Sequence, residues 1–97
     1  MLVRLTEVCA NGAVTTPNNY ILREVFINPE HVVMIREEKR LQELNERGML
    51  NEGLDTNHRF SKLIINRGQS GTEIIVIGAP DLVETKLQRP KKQLLKG

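Results

Sequence analysis

The sequence is short of aromatic residues, cysteines and long apolar runs. Tyr20, Phe26 and Phe60 are the whole aromatic complement, 3% of 97 residues, and there is no tryptophan. Stacking platforms for single-stranded nucleic acid need several exposed rings, so that route is nearly closed. The core must instead be aliphatic, built on Val, Ile and Leu. One cysteine, Cys9, excludes an internal disulfide and any multi-cysteine metal site. No apolar run approaches the length of a membrane span. Met1 leads straight into a strand-like pattern rather than a charged and apolar leader. The expected location is cytoplasmic, or the host cytoplasm if the protein is viral, with no membrane partner.

Excess charge is also scarce. The formal net charge is +2, but its placement is uneven. Lys86, Arg89, Lys91, Lys92 and Lys96 crowd the end of the chain without an acid among them. Residues 1–85 then carry nine bases against twelve acids, a net of −3. A basic body of the usual nucleic-acid-binding kind is excluded; only the tail or a local patch can supply positive field.

What is present is a series of short strand patterns. Leu2–Cys9 alternates, with Val3, Leu5 and Cys9 on one side and Arg4 and Thr6 on the other. Asn11–Asn19 is dense in turn residues and includes Asn-Gly. Tyr20–Ile27 forms a second strand, broken by Asn28-Pro29-Glu30, because Pro29 cannot donate to a ladder. His31–Arg36 is a third. Within Glu37–Gly48 the spacing of Leu41 and Leu44, the pair Glu43 and Arg47, and the stop at Gly48 predict a short, mostly solvated helix. An extended continuation of the third strand is the alternative. Met49–Asn57 reads as a loop; Phe60–Asn66 and Glu73–Ile77 are strands four and five. Ala79–Arg89 predicts a helix opened by Pro80, with Asp81 and Glu84 near its positive end and Lys86 and Arg89 near its negative end. Pro90 is expected to stop it, leaving a basic tail at 90–97.

The domain expected over residues 1–89 is therefore mainly β. It is a small, strongly bent, five-stranded SH3-like open barrel with an insertion after strand three and a C-terminal helix. Strands apolar on both faces, such as Leu63–Asn66 and Glu73–Ile77, need cover on both sides.

Two stretches carry a family resemblance. Ile64-Ile65-Asn66-Arg67-Gly68 followed by Ile74–Ile77 is similar to the second motif of the Sm and Sm-like family, an apolar strand, Arg-Gly, a turn and another apolar strand. Ile27-Asn28-Pro29-Glu30-His31-Val32-Val33-Met34 looks like a divergent first motif. Over nearly its full length, through VRLTEV, REVFINPEHVVMIREE and KQLLKG, the chain resembles short Sm-like proteins of marine cyanophage type. The run INPEHVVMIRE is also similar to small flagellar regulatory proteins, which share a strand-rich core but not a ring. The Sm resemblance implies a homo-oligomeric ring, formed by pairing strand four of one subunit with strand five of the next. It also implies single-stranded RNA as a partner, contacted by Asn28, His31, Arg67 and Gly68. Departures from the family are the absent helix before strand one and about three extra residues after Arg67-Gly68.

Each candidate has a plainer reading. Arg67 stacks on a base or sits on an exposed turn, paired for example with Glu73. Asn28 reads a base edge or forms an Asx turn into Pro29. His31 stacks, or is a half-buried residue at a strand start. Lys91 and Lys92 contact phosphate in a salt-dependent way or simply solubilise the tail. Asp55 and His58, three apart, have no third metal ligand in sight. Gly68-Gln69-Ser70-Gly71 does not open a helix after a strand with the glycine spacing a dinucleotide fingerprint needs, and no nucleophile sits with a base. No enzyme activity, cofactor, metal or small-molecule substrate is expected. An oligomeric protein-assembly or regulatory module that binds no nucleic acid is the competing class.

Overall fold

A computed structural model describes residues 1–10, 20–50, 54–68 and 70–96. The chain is mainly β, five antiparallel strands in one open sheet with two helices. The strands are β1 (Val3–Ala10), β2 (Tyr20–Ile27), β3 (Val32–Glu37), β4 (Phe60–Arg67) and β5 (Ser70–Ile77). A 3-10 turn, Pro29–His31, joins β2 to β3; α1 (Lys39–Glu46) follows β3 and α2 (Pro80–Lys96) follows β5. The predicted insertion and C-terminal helix are both present. The loop expected at Asn11–Asn19 lies outside the described residues.

Strand order is β2-β1-β5-β4-β3. β1 and β2 pair from Val3 opposite Ile27 to Ala10 opposite Tyr20. β4 and β5 pair from Phe60 opposite Ile77 to Arg67 opposite Ser70. β1 meets β5 with Glu7 opposite Val76. β2 and β3 are thus the two outer strands, yet only residues 28–31 connect them. Laid flat, five strands place their outer members about 19 Å apart. Four linking residues reach at most about 17 Å when fully extended. Here they are wound up, with the His31 N–H donating to the Asn28 carbonyl at 3.0 Å. The sheet must therefore curl until its edges approach at this end, which makes it a small open barrel.

Both faces are covered, as the apolar runs require. On the first face Leu5, Ile27, Leu63 and Val76 pack with Val83 and Leu87 of α2. On the second, Val8 and Phe60 pack with Leu41 of α1 and Leu50. Burying one such side chain stabilises by roughly 1.5–3 kcal/mol. α1 is therefore more than the solvated helix predicted from sequence: Leu41 and Asn45 are buried, while Lys39, Arg40, Glu43 and Glu46 stay in water. The buried Asn45 donates from Nδ2 to the Asp55 carbonyl at 2.8 Å, tying the following loop to the helix. At the same end of the sheet, Ser61 Oγ donates to the Gly78 carbonyl and the Gly78 N–H to the Arg59 carbonyl, both at 2.7 Å. That fixes the turn from which α2 departs.

Several boundaries move by one or two residues, and three larger differences from the sequence reading bear on the site. β5 begins at Ser70 rather than Glu73, because Gly68, at φ +83°, turns the chain tightly and leaves no extra loop. β4 and β5 are consequently joined side by side inside the sheet, so neither is an edge available to a neighbouring subunit. Third, α2 runs past Pro90 to Lys96, so the helix does not stop where Pro90 predicts. Proline forfeits a backbone donor, but its fixed φ is itself helical, which lets a helix continue through it.

Candidate functional site at the curled end of the sheet

The four residues singled out as an RNA contact come to one end of the barrel. Val32 pairs with Ile65 at the start of β3, so the 3-10 turn and the β4–β5 turn lie at the same end. Asn28, His31, the backbone of Arg67 and Gly68 share that end. The Asn28 side chain, however, is already used. Its Oδ1 accepts the Glu30 N–H at 3.0 Å, the Asx turn that was the plainer reading. His31 is exposed rather than half-buried. It stands at the rim of a cleft of about 430 Å³ whose apolar wall includes Phe26, Ile27, Ile65 and Ile74. The side chains of Arg67, Lys91 and Lys92 lie outside the described residues. Glu73, the suggested partner of Arg67, is 3.6 Å from Lys62.

Electrostatics at the sheet surface are largely self-compensated. Arg4 pairs with Glu24 at 3.2 Å, Arg23 with Glu7 at 3.3 Å, and Lys62 with Glu38 at 3.4 Å. Arg59 pairs with Glu37. Hydrogen bonding to the carboxylate, above all, raises the Arg23 and Arg59 pKa values beyond their ordinary range. Such exposed pairs add little stability, but each cancels positive field that a nucleic acid would need. Asp55 and His58 form no centre. The Asp55 carboxylate accepts the Asn57 N–H at 3.0 Å, and His58 is exposed. Among the described residues no three His, Cys, Asp or Glu side chains gather as metal ligands. Among the same residues no helix is long and apolar enough to cross a membrane.

The feature missed from sequence is the outer pair of strands. Phe26 on β2 is 57% exposed; Val33 and Met34 on β3 are 59% and 40% exposed. Beside β2, at the curled end, opens the cleft just described, bounded across from it by Ile65 of β4 and Ile74 of β5. The signal was present in the short Gly68 turn, which makes β4 and β5 immediate neighbours and pushes the edge role elsewhere.

No family model, curated protein or solved structure matches the chain.

Proposed function

We propose that the protein is a non-catalytic assembly module of Sm-like type, a small barrel subunit that self-associates edge to edge into a ring. The observation that carries this reading is the pair of outer strands, β2 and β3, with Phe26, Val33 and Met34 in water beside unpaired backbone. An edge of this kind is a template for another strand, and pairing it satisfies the backbone while covering the apolar side chains. Ring contacts run through β2 and β3 rather than through strands four and five. Native mass spectrometry tests the reading. A single cyclic oligomer at micromolar concentration is the expected result, and monomer alone removes it.

A second reading, single-stranded RNA as the ring's ligand, is favoured by one observation. Asn28, His31, Arg67 and Gly68 belong to one end of the barrel, so a ring repeats them around a common opening. Weak contacts repeated in this way gain by multivalency. The neutralised arginines of the sheet count against RNA and towards the protein-only module. A gel-shift titration with mixed single strands at low and high salt separates the two. Arg67→Ala should weaken binding if RNA is held there. No shift at low salt leaves the assembly module without nucleic acid.

A further inference from the structure

The two outer strands carry the same dipeptide. β2 contains Arg23-Glu24 followed by Val25-Phe26; β3 contains Met34-Ile35 followed by Arg36-Glu37. Laid antiparallel, these segments match at four successive positions. Arg23 falls opposite Glu37, Glu24 opposite Arg36, Val25 opposite Ile35, and Phe26 opposite Met34. Opposite charges and apolar pairs directly across a ladder are the units that stabilise a sheet.

The faces agree as well. Val25 lies across from Leu5, and Ile35 across from Leu63, which places both on the first face. Glu24 and Phe26 share the second face with Leu22 and Val8; Met34 and Arg36 share it with Ile64 and Lys62. Joining the strands in this register therefore continues both faces without a break. A slip of one residue would invert the faces. A slip of two sets Glu24 against Glu38 in one direction and against Met34 in the other. Parallel alignment of the two dipeptides sets arginine on arginine and glutamate on glutamate. Only one register satisfies charge and pattern together.

We infer that β2 of one copy pairs antiparallel with β3 of a second copy in the register Glu24–Arg36 and Phe26–Met34. This rests on the assembly reading above and supplies its interface. The chain's own β3 is not the partner. It is bonded to β4 from Val32 to Glu37, at the opposite edge of the sheet, and no ladder joins it to β2 within the chain. Among the described residues Arg36 makes no ion pair; its Nε donates to Met34 Sδ at 3.1 Å. Each copy offers one β2 and one β3 edge, so the contact is head-to-tail and propagates until a ring closes.

Charge reversal and cross-linking test it. Glu24→Arg and Arg36→Glu, each alone, should weaken association about tenfold or more, since each opposes like charges in the interface. The double variant should recover part of it, because the pair is restored with its sign exchanged while Arg4 of the same chain, 3.2 Å from Glu24, loses its own partner. In a Cys9→Ser background, Phe26→Cys with Met34→Cys should give a ladder of covalent multimers with a short thiol cross-linker. Circular dichroism of each variant confirms folding, and the cross-link reports independently of the charge variants. An oligomer indifferent to the reversals and yielding no ladder overturns this register while leaving assembly standing. A cross-link confined to single chains shows that the barrel closes on its own β3, and overturns the inference. A wild type that is monomeric defeats the assembly reading itself.

Discussion

Two glycines with positive φ differ in what surrounds them. Gly68, at +83°, has open space where a Cβ would go. Gly78, at +126°, would bring a Cβ to 3.2 Å from Cγ2 of the buried Val83. Gly68→Ala should cost about 1–2 kcal/mol, the penalty of the left-handed backbone alone. Gly78→Ala should cost more, because packing strain at the root of α2 adds to it. Urea titration of both variants checks the order. Cys9 gives a second test at this scale. Partial burial, reinforced by the hydrogen bond to Glu7, raises its thiol pKa. Less thiolate forms at a given pH, so alkylation at pH 8 should be slower than for a free thiol. Its rate should rise with pH along a curve displaced upward, and Glu7→Gln should speed it. An alkylation rate equal to that of a small thiol would show that the environment does not act. Individual side chains were unevenly legible in the sequence. The Asx turn at Asn28 could be read, because Asn-Pro states its own local geometry. The burial of Asn45 could not, because a polar residue on a helix looks solvated until the loop that meets it is placed.

At the scale of elements, most strands were legible because β-branched runs and turn residues are local signals. Their neighbours were not. Period and composition state that Glu73–Ile77 is a strand but not which strands flank it, and pairing decides which edges are free. α2 shows the converse failure, where a strong local signal at Pro90 was overruled. Pro90→Ala should therefore restore the missing donor and stabilise the helix, by up to about 3 kcal/mol. Greater ellipticity at 222 nm together with a higher melting temperature is the expected outcome. No change in either would place the end of the ordered helix before Pro90. Contact between helix and sheet is a separate matter. Leu63 is fully buried in the core shared with Val83 and Leu87. Leu63→Ala should cost about 2–5 kcal/mol by denaturant titration, the range for a buried leucine whose cavity cannot collapse.

For the molecule as a whole, aliphatic composition and modest length predicted a barrel with edges to cover, and the edges are there. Composition carries no information about which partner covers them. If copies of the chain do so, stability is linked to protein concentration. The melting temperature should rise as the protein is concentrated, and Arg36→Glu should flatten that dependence. A melting temperature independent of concentration, in a wild type shown to be oligomeric, would mean that subunits unfold without separating. The strand order also divides the barrel into unequal pieces. β1 and β2 form one local hairpin; β3, β4 and β5 form a continuous set of pairs with α2 behind it. The two pieces meet where β1 lies against β5, between segments far apart in the sequence, and through the brief connection at residues 28–31. The β1–β2 and β4–β5 ladders close short loops and β3–β4 one that holds α1, whereas β1–β5 closes the longest, and long closures form late and open early. The hairpin is then the piece that detaches in brief excursions from the native state. Its amide protons should exchange with solvent deuterium sooner than those of β4 and β5. During such an excursion it is also the piece that one molecule can trade with another.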